Sequence, residues 1–252
     1  MIVSLVGAGP GDPELLTVKA ARLLRDADVV FHDELVTRAV LAVCSPHAEL
    51  VPVGHRAGWP KKSTAAVVAA MVARARLGQS VVRLKGGDPY LFGRGAEEAT
   101  GLLAAGVAFE TVPGISSAIA GPAAAGIPVT HRELASSVTI VTGHEREGAG
   151  RVRWEQLATA SDTLVVLMGS GRLAELAASI IAAGRPADTP AAVVMSATRP
   201  DQRHVVARLD RIATAASAAS ISSPAILVVG AVAALAEVLA PGAAVLSQAV
   251  AV

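Results

Sequence analysis

Val81-Val82-Arg83-Leu84-Lys85-Gly86-Gly87-Asp88-Pro89-Tyr90-Leu91-Phe92-Gly93-Arg94-Gly95-Ala96-Glu97-Glu98 is the stretch on which the reading of this chain turns. A β-branched run leads into two adjacent glycines, and a helix-forming segment follows shortly after. This is the pattern of a strand that ends in a turn and passes into a helix. Two glycines at a strand's end let main-chain groups approach a ligand with no Cβ in the way. Carboxyl ends of strands are also where open α/β sheets bind ligands. Four glycines and a proline, flanked by Arg83, Lys85 and Asp88, are more than a plain turn requires. The spacing is wrong for a phosphate loop of the G-x-x-x-x-G-K-[ST] type.

Outward from this stretch the same alternation continues. Short β-branched runs fall at 2–6, 28–31, 49–53, 80–84, 108–112, 138–142, 163–168, 191–196, 203–208 and 225–229. Helical stretches lie between them at 14–25, 64–77, 95–105, 172–183 and 231–240. The alternation predicts an α/β fold with largely parallel sheets. Aromatic residues are only 2% of the chain, so Val, Leu, Ile and Ala must fill the cores, which suits buried parallel strands under Ala-rich helices. Asp12 and Pro13 offer an N-cap and a first-position proline. Leu16, Ala20, Leu23 and Leu24 then share one helical face. Ser63 is placed to cap the next helix, and Gly78 stands where a left-handed terminator belongs. Ten strands are many for one sheet, and Pro113-Gly114-Ile115-Ser116-Ser117 reads as a crossover. Two α/β domains are therefore expected, 1–113 and 119–240, with a cleft between them.

Composition removes several function classes. A net charge of +1 argues against nucleic acid as a partner. The one cysteine, Cys44, cannot form an internal disulfide and lacks partners for a Cys-rich metal site, so a reducing, cytoplasmic setting and no metal are expected. Mean hydropathy is high at +0.52. Even so, the longest apolar run, 225–240, is interrupted by Glu237 and falls short of the ~20 residues that a spanning helix needs. The opening Ile2-Val3-Ser4-Leu5-Val6 has no basic flank or cleavage site, so no signal peptide is expected.

Two further motifs bear on chemistry. Val6-Gly7-Ala8-Gly9-Pro10-Gly11-Asp12 follows the first strand but places Asp12 where a dinucleotide fingerprint needs glycine. It is either a tight strand-to-helix turn or a turn that lets a ligand approach the backbone. Pro113-Gly114-Ile115-Ser116-Ser117-Ala118 precedes Gly126-Ile127-Pro128-Val129-Thr130-His131-Arg132. Its hydroxyls could bond a ligand's polar end or simply cap a helix.

Five blocks in order then carry a resemblance: LVGAGPGDPELLTVKAARLLRDADVV (5–30), VVRLKGGDPYLFGRGAEE (81–98), VPGISSAIAGPAAAGIPVTHR (112–132), VTGHE (141–145) and LVVLMGSG (164–171). The chain resembles the uroporphyrinogen-III C-methyltransferases, within the tetrapyrrole methylases. That resemblance implies two α/β/α domains, as in the class III methyltransferases, with S-adenosyl-L-methionine held in the cleft and S-adenosyl-L-homocysteine released. It also implies a homodimer acting on a small-molecule tetrapyrrole. The implied reaction is two methyl transfers to uroporphyrinogen III, giving precorrin-1 and then precorrin-2, the branch point toward sirohaem and cobalamin. By similarity, Pro10, Gly86, Gly87, Asp88, Leu91, Ser116, Ser117, Met168 and Ala197 line the cofactor pocket. Asp33 matches the family's proposed proton acceptor, and Arg83 an arginine at the substrate mouth. The alternatives are a methylase of a later precorrin and, more distantly, a nucleotide-binding dehydrogenase.

The chemistry fits this inventory. A porphyrinogen pyrrole carbon is nucleophilic enough to attack a sulfonium methyl, so the catalyst mainly aligns the partners. A carboxylate such as Asp33 stabilises the charge that develops on the pyrrole nitrogen and takes its proton. Read without the family, the alternative for Asp33 is a strand-end helix cap. The substrate's many carboxylates call for local cations, with Arg38, Arg56, Lys61, Lys62, Arg83, Lys85, Arg94 and Arg132 as candidates. Three positions depart from the family pattern: His32 for a tyrosine, His55 for a lysine proposed as proton donor, and Ala197 for a glycine.

His55 is either a donor or a plain loop residue. As donor it predicts activity that falls as pH rises through about 6.5, because lysine titrates only near ~10.4. His55→Lys should then extend activity to higher pH. Rate profiles against pH for the wild type, His55→Lys and His55→Ala check this, and three coincident profiles would return His55 to the loop.

Overall fold

The computed structural model describes residues 2–54, 63–143 and 152–239. His55, Arg56, Lys61 and Lys62 lie outside the described residues. The chain divides into two compact units, Met1–Ser116 and Ser117–Val252, each of them α/β.

In the first unit the order is β1 (Ile2–Gly7), α1 (Val18–Arg25), β2 (Val29–His32), α2 (Arg38–Leu41), β3 (Glu49–Pro52), α3 (Thr64–Arg76), β4 (Val81–Lys85), α4 (Gly95–Ala104) and β5 (Ala108–Val112). The sheet runs β3-β2-β4-β1-β5 and every pairing is parallel. Strand side chains alternate between faces, so each strand feeds two cores. Val6, Val30, Val82 and Leu84 pack with Ala20 of α1, Leu24 of α1 and Val40 of α2. Val3, Leu5, Val29, Phe31 and Val81 pack with Met71 of α3 and Leu102 of α4. With both faces covered, all five residues of β4 are buried. Truncating a fully buried side chain such as Leu24 or Met71 would cost about 2–5 kcal/mol.

The helix expected over 14–25 is split. Asp12 caps only a 3-10 turn, Pro13–Leu15, with its Oδ1 accepting from Glu14 N at 2.9 Å. The helix α1 has its own cap, Thr17, whose Oγ1 accepts from Ala20 N at 3.1 Å. Ser63 does cap α3, and Gly78 takes φ +80° just beyond it.

In the second unit the order is α5 (Ser117–Ala124), β6 (Val138–Thr142), α6 (Trp154–Leu157), β7 (Thr163–Leu167), α7 (Leu173–Ala182), β8 (Pro190–Met195), β9 (Arg203–Arg208), α8 (Ile212–Ala218), β10 (Ala225–Val229) and α9 (Ala236–Leu239). Here the expectation of a largely parallel sheet is corrected. The order is β6-β7-β10-β8-β9, and only β6 and β7 run parallel. For β8 and β9 the cause is connection length. A parallel crossover needs about a dozen residues or more, usually with a helix. The segment 196–202 between β8 and β9 is shorter than that and holds no helix, so the two strands pair antiparallel. The short helices α2, α6 and α8 escaped the sequence reading, whereas α5 opens at Ser117, in the motif whose hydroxyls are read as opening a helix.

Both units fasten their parallel strands by the same device at the amino ends. Ser80, before β4, donates its N–H and hydroxyl to Asp28 Oδ2 before β2, at 2.7 and 2.9 Å. Ser137, before β6, does the same to Asp162 Oδ2 before β7, at 3.1 and 2.9 Å. These bonds hold both carboxyls below the usual carboxylate range. They fix strand register at the edge away from the carboxyl-end loops.

On β9, His204 is 1% exposed and its Nε2 has no hydrogen-bond partner. Burial pushes its imidazolium pKa below the ordinary value, so the folded protein holds it neutral. As pH falls below about 6.5 the unfolded chain takes up a proton that the native chain resists, and stability declines until the depressed native pKa is passed. Melting temperatures measured between pH 7.5 and 5 should therefore fall more steeply for the wild type than for His204→Leu. Equal slopes would mean that His204 titrates normally in the folded protein.

Candidate active site

Three of the glycine motifs meet at the carboxyl ends of β4, β1 and β5, which are neighbours in the first sheet. A Cβ on Gly7 would lie 2.5 Å from Gly114 Cα and 2.6 Å from Gly87 O. A Cβ on Gly114 would strike the same Gly87 oxygen. No side chain fits at either position, so the three loops pack backbone on backbone. Hydrogen bonds then lock them. Gly87 N donates to Gly9 O at 2.9 Å and Gly9 N to Gly87 O at 3.2 Å, while Ala8 N reaches Lys85 O at 2.7 Å. Gly87 itself sits at φ +65°, a left-handed conformation that side chains disfavour.

Asp88 is a fastener in this arrangement. Its Oδ1 accepts from Tyr90 N at 2.8 Å and its Oδ2 from Gly114 N at 3.1 Å, so both carboxylate oxygens are engaged within the loops. Gly86 behaves differently from Gly87. A Cβ there would meet nothing nearer than Leu35 Cβ at 3.8 Å, and its φ is ordinary. The space beside its Cα is thus open at the end of the central strand. Pro10 and Leu91, half-buried, stand on the two loops that the Gly9–Gly87 bridge joins. Ser116, also half-buried, ends the first unit.

Beneath this loop cluster lies a buried set of charges. Alternation along β4 turns Arg83 and Lys85 toward the face that α4 covers, and they are 4% and 2% exposed. Glu98, 4% exposed, comes down from α4 and takes both cations: Arg83 Nε at 2.9 Å on one oxygen and Lys85 Nζ at 2.8 Å on the other. The far edge of the guanidinium reaches Asp33, with Nη2 to Oδ1 at 2.5 Å. Its Nη1 donates to Leu84 O at 3.1 Å and Phe31 O at 3.4 Å. Burial disfavours the charged guanidinium, but the Asp33 and Glu98 carboxylates outweigh it, and the Arg83 pKa lies above its ordinary value.

Asp33 is the member of this set that reaches solvent, with its side chain 29% exposed. It follows β2 directly, with its N–H on Leu84 O at 3.1 Å, and its Oδ2 accepts from Gly86 N at 3.3 Å. A carboxylate held by one buried arginine and one backbone N–H, and still partly in solvent, can bind a developing positive charge and accept a proton.

The structure thus corrects the expectation for two cations. Arg83 and Lys85 were expected to face the substrate's carboxylates. Both are buried and paired with carboxylates of the protein, because β4 is covered on both faces. Arg38, Arg94 and Arg132 are exposed, Arg94 with Glu97 at 3.1 Å. Glu98 was missed, although a signal for it existed: Gly95, Glu98, Ala99 and Leu102 form the buried stripe of α4, and an acid on such a stripe implies a buried cation opposite.

In the second unit, Met168 follows β7 and Ala197 follows the β8 residues. Both strands run antiparallel to β10, so their carboxyl ends share one edge of that sheet. Met168 is 53% exposed at φ +57°. Ala197 is buried between two left-handed residues, Ser196 at φ +48° and Thr198 at φ +66°. Non-glycine residues held in this region cluster at ligand sites. A Cβ built on Gly121 of α5, the helix that Ser117 opens, would lie 3.5 Å from Ala197 Cβ. The methyl of Ala197 therefore packs toward α5.

Residues 3–213 match the family model of the tetrapyrrole (corrin/porphyrin) methylases. An S-adenosyl-L-methionine-dependent uroporphyrinogen III methyltransferase of Methanosarcina barkeri is 49% identical over 94% of each chain. The uroporphyrin-III C-methyltransferase of Thermus thermophilus complexed with S-adenosylhomocysteine is 42% identical, with a TM-score of 0.80, covering 93% of this chain and 100% of that one. A cobalt-precorrin-4 methyltransferase of cobalamin biosynthesis superposes with a TM-score of 0.83 at 32% identity, covering 92% and 95%. With a family model over most of its length and a relative of such identity, the chain belongs to the tetrapyrrole methylases.

Proposed function

We propose that this chain is the S-adenosyl-L-methionine-dependent methyltransferase that methylates uroporphyrinogen III twice, through precorrin-1 to precorrin-2. The observation that carries the substrate is the 49% identity, end to end, with the Methanosarcina uroporphyrinogen III enzyme, against 32% with the precorrin-4 enzyme. When bound, S-adenosyl-L-methionine supplies an electrophilic methyl on a sulfonium centre. The room beside Gly86, where a Cβ would meet nothing nearer than 3.8 Å, suits a ligand that approaches the backbone there. By the resemblance, Pro10, Gly86, Gly87, Leu91, Ser116, Ser117, Met168 and Ala197 hold it. Asp88 contributes by keeping the loop in shape, since its carboxylate is already bonded.

Asp33 is the proton acceptor in this reading. Its Oδ1 is tied to Arg83 and its Oδ2 to Gly86 N–H, so the carboxylate is fixed before substrate arrives and needs little reorganisation during transfer. Arg83 acts through Asp33 rather than on the substrate. Exposed arginines, with Arg38, Arg94 and Arg132 the candidates in the described residues, receive the substrate's carboxylates. His55 remains the candidate donor. A homodimer in the cytoplasm completes the proposal. Among the described residues no helix is long and apolar enough to cross a membrane. Burial raises the thiol pKa of the single cysteine, Cys44, to about 11, which keeps it protonated and unreactive.

Gly86→Val is the test of the cofactor loop. The position accepts a side chain sterically, so the variant should melt close to the wild type, yet bind S-adenosylhomocysteine at least about tenfold more weakly by calorimetry. Wild-type affinity would move the site away from this loop. Gly87→Val is a poorer probe, since φ +65° strains any side chain.

The function itself is tested by incubating uroporphyrinogen III with labelled S-adenosyl-L-methionine and counting methyls in the product. Two methyls are expected, and none on this substrate with transfer to a later precorrin would reassign the enzyme. Asp33→Asn should retain cofactor affinity and lose roughly 10²-fold or more in turnover. Near wild-type turnover would demote Asp33 to a strand-end cap.

A further inference from the structure

Central strands covered on both faces are normally apolar throughout. β4 breaks this rule twice, at Arg83 and Lys85, and α4 breaks its buried stripe once, at Glu98. Stability alone gives little reason for such a cluster. Replacing a buried ion triad by apolar residues of similar volume is often neutral or stabilising. Charge balance alone does not explain the geometry either, because a single Lys–Glu or Arg–Glu pair would be neutral without a second cation.

The geometry of the four groups is directional. Glu98 Oε2 holds Lys85, and its Oε1 holds Arg83 at Nε. Phe31 O and Leu84 O take Nη1. With those positions filled, the remaining nitrogen of the guanidinium, Nη2, donates to Asp33. Asp33 in turn is the member with a quarter or more of its side chain in solvent, and it is bonded to Gly86 at the loop. The chain of contacts therefore runs from a carboxylate buried under a helix to the carboxylate that faces the site.

We propose that Glu98 is a positioning residue for methyl transfer, one that aims Arg83 so that Asp33 is held in its working orientation. This rests on the assignment of Asp33 as proton acceptor. Lys85 occupies the second oxygen of Glu98 and stops that carboxylate from rotating away from Arg83. Glu98 does not meet substrate or cofactor.

The test uses the full-length protein with two changes, Glu98→Gln and the double replacement Lys85→Met with Glu98→Met. The double variant removes one cation and one anion together, so the buried charge stays balanced while the aim on Arg83 is lost. Turnover with labelled S-adenosyl-L-methionine should fall at least about tenfold in both, as expected when a reacting group is misplaced by about an ångström. KM for the cofactor should stay within about twofold of wild type. The amide proton resonance of Gly86, the donor to Asp33 Oδ2, should move in Glu98→Gln, which leaves its neighbour Lys85 unchanged. A double variant with wild-type turnover, or a folded Glu98→Gln with an unmoved Gly86 resonance, would overturn the proposal and leave Glu98 as a counter-ion. Should Glu98→Gln fail to fold, the charge-balanced double variant decides the matter alone. Should the wild type transfer no methyl to uroporphyrinogen III, the substrate assignment fails, while the Gly86 resonance still reports whether Glu98 governs Asp33.

Discussion

The contact on which the first unit depends is one between main chains. Gly7, Gly87 and Gly114 bring the ends of β1, β4 and β5 so close that no Cβ fits at Gly7 or Gly114. Everything above it follows from that closeness. The Gly9–Gly87 bridge forms because the loops can touch, and Asp88 can span from its own turn to Gly114 N only at this separation. Gly86 then stands at the top of the central strand, where a Cβ would meet nothing nearer than 3.8 Å. Each such glycine carries an entropic cost in the unfolded chain, and their concentration here marks where shape matters more than stability.

Under the loops the same strand carries charge into a region built for hydrocarbon. Asp33, Arg83, Lys85 and Glu98 satisfy one another so completely that two buried cations are tolerated. Natural sequences break a local rule of this kind mainly at functional sites. The arrangement has a mechanical consequence as well. A carboxylate on a loop is ordinarily free to turn, but one clamped by a buried guanidinium inherits the rigidity of the sheet.

The second unit solves its own problem by different topology. β10 lies between β7 and β8 and runs against both, which leaves the carboxyl ends of β7 and β8 on one edge. Met168 and Ala197 leave those ends in or beside left-handed conformations. Such backbone persists only where its surroundings over-determine it, here through the packing of Gly121 toward Ala197 and of Gly143 against Gly169.

The sequence by itself determined much of this protein. All ten strands were legible within a residue or two, because β-branched runs between Ala-rich segments have one plausible reading. So were the cap at Ser63, the terminator at Gly78, and the motifs that resemble a methylase. Strand direction in the second sheet was not legible, because it depends on which strands become neighbours and on the length of 196–202. The role of Arg83 was not legible either. Its type and spacing are the same whether it faces a substrate or a buried acid, and only the placement of α4 over β4 decides for Glu98. Periodicity is a local property of the chain and survives in one dimension. Burial and charge partners are properties of distant segments brought together, and only the tertiary structure decides them.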